Sequence, residues 1–162
     1  MELTDHFEVA ASPQAVWDFF ATAKNLPAIT PPWLGFKILT PDPIAMGEGA
    51  LLDYTIRWCG IPIKWRTRIT DWSPPHQFID IQIRGPYTLW HHHHTFAPSS
   101  SGVICRDRAL YMIPFGIFGT AVNALVVQRQ LLEIFSFRRR VIGEKLGWIR
   151  GLQDAPVIER LS

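Results

Sequence analysis

The chain has 162 residues, of which 48% are hydrophobic and 19% charged. That composition excludes a disordered polymer and allows one sizeable core. Sixteen Lys plus Arg against fourteen Asp plus Glu leave a formal charge of +2, too even a balance to call for nucleic acid or an acidic partner. Cys59 and Cys105 stand in no CxxC or Cys/His metal spacing, so reduced thiols are expected. The opening segment MELTDHFEVAASP lacks a basic region followed by an apolar run, and no stretch reaches the ~20 apolar residues that span a bilayer. A cytoplasmic location is the expectation.

Glu2 to Ala10 alternates apolar and polar residues and reads as a first strand. The period then changes. Ser12 before Pro13 is an N-cap with proline at the first helical position, and Val16, Trp17, Phe19 and Phe20 follow at helical spacing. Ala23 to Ile29 reads as another turn or two, stopped by Thr30-Pro31-Pro32. Six further strands are predicted at 35–39, 50–58, 63–72, 77–84, 89–96 and 103–112, separated by short Gly, Pro and Ser loops. Loops that short join antiparallel neighbours, because a parallel crossover needs a dozen residues or more. After Pro114-Phe-Gly-Ile-Phe-Gly119 an amphipathic helix of nearly thirty residues is predicted, with Val122, Leu125, Val126, Leu132, Phe135 and Ile142 near one face, Val127, Leu131 and Ile134 widening it, and Gln128, Gln130, Glu133, Arg138, Arg140 and Glu144 away from its centre. It ends near Gly147. Residues 1–150 are read as one domain and 151–162 as a tail without pattern.

A seven-stranded antiparallel sheet and one long helix must each bury an apolar side, and a curved sheet meets a straight helix along only part of its length. The remaining gap is a natural apolar pocket. Trp58, Trp65, Trp72 and Trp90 all fall on predicted strands, where large rings either line a cavity or pack as ordinary core.

The order of strand, two short helices, six strands and long helix resembles the START-like (SRPBCC) superfamily, an α+β helix-grip fold. More narrowly, Trp65-Arg-Thr-Arg-Ile69, Phe78-Ile-Asp-Ile-Gln82, Gly85-Pro86-Tyr87, Trp90-His-His-His-His-Thr-Phe96, Asp107-Arg108, Tyr111 and Pro114-Phe-Gly resemble a bacterial ligand-binding or polyketide cyclase/dehydrase-like branch. The helix segment Arg129-Gln-Leu, Ile134-Phe and Phe137-Arg138 is similar to that branch too. The resemblance implies a cavity and a hydrophobic ligand without implying a reaction.

The run His91 to His94 lies within a predicted strand and is read as native. Alternation puts Trp90, His92, His94 and Phe96 on one face, assigned inward because Trp90 and Phe96 are large and because the resemblance retains that register. The following hairpin brings Asp107 opposite His92 or His94, Cys105 nearby and Tyr111 further along. His92, His94, Asp107 and Tyr111 are therefore the candidate catalytic group. Three readings stand for it: a His/Asp acid–base pair, in which the carboxylate fixes the tautomer; two imidazoles and a carboxylate around a metal; and hydrogen-bonded polar residues that orient a ligand or satisfy one another. No metal or cofactor is assigned.

Asp80 and Gln82 alternate with Ile79, Ile81 and Ile83, and their direction stays open: the isoleucines argue for outward, the resemblance for the pocket. Arg138-Arg139-Arg140 reads as a solvated helix face or as a site of transient contact with anionic headgroups. Phe115 and Phe118 read as a gate or as apolar docking under the helix. Ligand contact is expected from Trp58, Trp65, Trp90, Phe96, Phe115, Phe118, Leu125, Leu132 and Phe135. The first functional expectation is a binder of a lipid-like, isoprenoid or aromatic small molecule. The alternatives are a cyclase/dehydratase using the same cluster and a protein-interaction module. No P-loop, Rossmann glycine pattern or Gly-x-Ser-x-Gly elbow is present, and nothing sets an oligomeric state.

Overall fold

The computed structural model describes residues 1–58, 60–114, 126–150 and 155–161. Its elements are β1 (Glu2–Val9), α1 (Pro13–Phe20), two 3-10 segments (Ala23–Ile29 and Pro32–Leu34), and β2 (Lys37–Ile38). There follow β3 (Leu51–Trp58), β4 (Ile61–Ser73), β5 (Gln77–Arg84), β6 (Leu89–Pro98), β7 (Val103–Met112), α2 (Gln128–Leu146), β8 (Trp148–Arg150) and β9 (Val157–Glu159). The strands form one sheet in the order β2-β3-β4-β5-β6-β7-β1-β8, with β9 also on β1. Its pairs are antiparallel. This is the helix-grip architecture expected.

Local chemistry places the ends of the elements. Ser12 Oγ accepts from the Ala15 amide at 3.2 Å and Pro13 opens α1, whose Val16, Trp17 and Phe20 are buried. Gly35 ends the second 3-10 segment at φ +52°, a left-handed conformation, so the strand predicted from residue 35 shortens to Lys37–Ile38. Gly147 (φ +84°) ends α2. Its amide donates to the Gly143 carbonyl and its own carbonyl accepts from Ala10, each at 2.8 Å, so the helix terminus is tied to the end of β1.

The C-terminal segment differs from the expected pattern for a plain reason. β8 and β9 are three residues each, too short to show alternation, and exist because the free edge of β1 pairs with them. Part of the tail read as patternless is therefore strand. Only the Gln128–Leu146 part of the long helix is described; the expected start near residue 120 lies outside the described residues. The β4–β5 register shifts between Arg66 and Thr67 and between Ile69 and Asp71, and such irregularities bend a strand and increase its twist.

Two apolar clusters fill the interior. One joins Phe7, Trp17, Phe78, Phe96, Cys105 and Ile142; the other joins Leu3, Ala109, Tyr111, Val127, Leu131 and Phe135. Trp72 packs on Trp17 at 4.8 Å between ring centroids and belongs with the first cluster. Each element that crosses the interior carries polar residues between the two clusters: Asp5 on β1 between Leu3 and Phe7, His92 and His94 on β6 between Trp90 and Phe96, Asp107 on β7 between Cys105 and Ala109, and Arg138 and Arg139 on α2 between Phe135 and Ile142. A polar seam thus crosses an apolar core.

Candidate functional site

A cavity of about 640 Å³ lies between sheet and helix, within the range usual for small-molecule sites. Its wall is largely apolar. Trp58, Trp65, Trp90 and Phe135, four of the predicted contact residues, line it. Tyr54 stacks on Trp65 at 5.7 Å, and Trp90 meets the Trp65 edge at 5.6 Å. Trp58 Nε1 donates to Gln130 Oε1 at 2.8 Å, pinning the far end of β3 to α2.

Two predicted contact residues lie elsewhere. Phe96 is in the first apolar cluster, because it is one strand period past His94 and meets Trp17 and Phe20 of α1. Leu132 is half-buried and off the cavity wall, since Val127, Leu131 and Phe135 at four-residue steps, joined by Ile134, take the inward stripe of α2. The inward stripe runs along the Val127, Leu131 and Ile134 side of the expected face, with Phe135 and Ile142 on it as expected. Phe115, Phe118 and Leu125 lie outside the described residues.

The histidine strand has the predicted direction. His92 and His94 are 5% and 2% exposed and line the cavity. The β6–β7 register sets His94 opposite Asp107, and the β5–β6 register sets His92 opposite Asp80. His92 presents Nε2 to Asp107 Oδ1 at 3.0 Å and Nδ1 to Asp80 Oδ2 at 3.6 Å. His94 presents Nδ1 to Asp107 Oδ1 at 2.5 Å and Nε2 to Asp80 Oδ2 at 3.1 Å. Each imidazole is therefore flanked by two carboxylates. Asp107 lies behind the imidazoles and off the cavity wall, and Tyr111 is buried in the second apolar cluster beside Tyr87 and Trp90. Of the four candidate catalytic residues, His92 and His94 face the cavity.

Asp80 settles the open orientation. It points inward and lines the cavity, because β5 pairs it with inward Ile69 on one side and His92 on the other. Ile79, Ile81 and Ile83 take the outer face, where Ile83 is 44% exposed. Gln82 has a local task, bonding the Tyr87 amide and carbonyl across the 85–87 turn. On α2 the arginine run does not form a solvated face. Arg138 lines the cavity, reaches Asp107 Oδ2 at 3.9 Å and lies over the Phe20 ring; Arg139 meets buried Asp5 at 3.2 Å. Only Arg140 of the three is exposed, 3.9 Å from Glu144. Counting by three and four from Leu131, Ile134 and Phe135 reaches Arg138, a signal the sequence already contains.

The charges of the seam set its proton positions. Burial pushes the Asp107 carboxyl up, but His94, Arg138 and the His92 hydrogen bond outweigh it and hold Asp107 well below the usual carboxylate range. Burial also raises Asp80; the His94 hydrogen bond and nearby positive charge prevail and leave it lowered. Burial and the neighbouring His94 depress His92, more than Asp107 and Asp80 restore it. For His94 the balance is reversed: burial depresses it, and attraction to Asp107 and Asp80 raises it above the ordinary value. One proton on His94 between two ionised carboxylates, beside a neutral His92, satisfies these directions. Asp5 is pushed up to about 7 by burial and by the charge of Asp107, despite Arg139.

Residues 9–136 match the family model described as polyketide cyclase / dehydrase and lipid transport. The fold is similar to a START superfamily protein from Mycobacterium smegmatis at 14% identity and TM-score 0.66, covering 90% of this chain and 97% of that one. The protein TTHA0849 from Thermus thermophilus superposes at 17% identity and TM-score 0.66, with the same coverages. The di-domain ARO/CYC StfQ from the steffimycin biosynthetic pathway gives 17% identity and TM-score 0.67, over 90% of this chain and 50% of StfQ. No protein of curated function matches the sequence. No helix among the described residues is long and apolar enough to cross a membrane. A family match over most of the chain and START-like neighbours over nine-tenths of it agree with the geometry: this chain belongs to the polyketide cyclase / dehydrase and lipid transport family.

Proposed function

We propose that the protein binds a small, largely hydrophobic molecule in the cavity between sheet and α2, with the polar end of that molecule at Asp80, His92, His94 and Arg138. The observation that carries this reading is the segregation of the wall, aromatic and aliphatic over most of its area with charged groups gathered at one place. Apolar contact supplies affinity, and a few convergent polar groups fix orientation. Tyr54 and Tyr87 add phenols that burial keeps protonated, since it pushes both hydroxyls up. Trp65 contributes ring surface to the wall.

The test uses the fluorescent probe 8-anilinonaphthalene-1-sulfonate on the native protein and on Ile56→Trp, which adds a ring to the cavity wall. One probe per chain with energy transfer from tryptophan, and at least tenfold weaker binding to the variant at unchanged near-UV circular dichroism, supports the reading. Absence of saturable binding, or equal binding by the variant, overturns it.

A second reading is favoured by the imidazoles themselves. His94 between two carboxylates beside a neutral His92 is an acid–base arrangement suited to cyclisation or dehydration. Extraction of molecules that co-purify separates the two: a substrate together with its dehydrated product indicates turnover, and a single unaltered lipid indicates carriage.

A further inference from the structure

We propose that Asp80 Oδ2, His92 Nδ1 and His94 Nε2 form a three-ligand site for a divalent first-row transition-metal ion, opening into the cavity. The ligand atoms of these three residues lie within 4.8 Å of one another, with Asp80 Oδ2 at 3.6 Å from His92 Nδ1 and 3.1 Å from His94 Nε2. Atoms bound to one ion at about 2.0–2.2 Å stand about 3–3.5 Å apart, so small rotations of the side chains bring all three to a common centre. Two imidazoles and one carboxylate on one side of an ion leave its other positions open. Here those positions face the cavity, because all three residues line it.

The outer partners support the assignment independently of the spacing. A ligating imidazole usually gives its second nitrogen to a carboxylate, which fixes the tautomer. Asp107 Oδ1 does this for His92, 3.0 Å from its Nε2, and lies 2.5 Å from His94 Nδ1 as an ion-pair contact. Asp107 is therefore a positioning residue and Asp80 the ligand, the reverse of what the sequence alone suggests. Arg138 lies 3.9 Å from Asp107 Oδ2, on the side of the positioning carboxylate away from the imidazoles. Two carboxylates, Asp80 and Asp107, face one guanidinium, Arg138, around the imidazoles, a charge balance that suits a cation. Backbone geometry favours the site as well: its residues sit on the adjacent central strands β5 and β6, where register is held by pairing on both sides.

This inference goes beyond the ligand-binding reading and does not rest on it, since an ion needs the cavity only as a route of entry. The test is equilibrium dialysis of the full chain against Zn²⁺, with the Co²⁺ absorption spectrum as a readout that needs no variant. His91 and His93 on the outer face of β6 are the rival site. The expected result is one Zn²⁺ per chain, retained in the double variant His91→Gln/His93→Gln and weakened at least tenfold in Asp80→Asn and in His92→Gln. Asp107→Asn is expected to weaken it about 10–100-fold, as loss of an outer carboxylate does. Failure of the native protein to take up stoichiometric Zn²⁺ at micromolar concentration overturns the proposal. So does undiminished binding by Asp80→Asn, loss of the ion in the His91/His93 variant, or a Co²⁺ spectrum equal to that of the aquated ion. Probe binding measured on the same samples keeps failure of the metal site distinct from failure of the cavity reading.

Discussion

Asp107→Asn is the most informative single change to the stability of the seam. The Asp107 side chain is 3% exposed; its Oδ1 serves both imidazoles and its Oδ2 faces the Arg138 guanidinium. Asparagine keeps the shape and one acceptor, but turns an amide donor toward either the imidazoles or the arginine, which are donors themselves. The cations of His94 and Arg138 then lose a counter-charge they cannot exchange for water. Breaking a buried charge pair by removing one partner costs about 3–5 kcal/mol, and the remaining acceptor and the partial exposure of Arg138 put the expectation near the lower end. Urea unfolding at neutral pH, followed by tryptophan fluorescence, reads this as a shift in midpoint at unchanged slope. The double variant Asp107→Asn/Arg138→Met should lose less than the sum of the singles, by about 1–3 kcal/mol, because it removes the stranded charge as well. A loss below about 1 kcal/mol for Asp107→Asn, or strict additivity in the cycle, would show instead that solvent screens the seam.

Gly143→Ala tests the seat of α2: a Cβ there would collide with the Trp148 ring, and Trp148 is wedged against Phe7. Overpacking of this kind costs about 1–3 kcal/mol, measured by thermal or urea unfolding; a neutral result would mean that Trp148 moves freely. Asp5 gives a pH prediction of definite sign. Its folded pKa of about 7 exceeds the unfolded value, so its contribution is complete below about pH 4 and is lost as pH rises through about 7. The stability of the native protein relative to Asp5→Asn should therefore fall across that window, by up to about 1.4 kcal/mol per pH unit; a flat or rising difference contradicts it. Gln130→Leu removes the acceptor of Trp58 Nε1, and a loss of about 1 kcal/mol of stability with a blue shift of tryptophan emission is expected. Unchanged emission would show that the sheet-to-helix tie contributes nothing.

Much of this architecture is written locally in the chain. Ser12-Pro13 starts α1 because a side-chain oxygen and a preset φ act within one turn. The alternation Trp90, His92, His94, Phe96 states which imidazoles share a face, and the short 98–102 loop sets Asp107 against His94, since side-chain direction in a hairpin follows from counting. Short-range rules ended where a residue's neighbours come from another part of the fold. Ile79, Ile81 and Ile83 look like a core stripe, yet β5 turns them outward, because pairing with β4 across its register shifts and with β6 decides the phase and puts Asp80 at the cavity. Arg139 reads as surface charge until Asp5, contributed by β1, stands beneath it. β9 is strand only because β1 offers it an edge. Which residues lie on one face is thus a property of the chain itself; which face turns inward, and which charges meet there, is decided by long-range pairing of strands and helix.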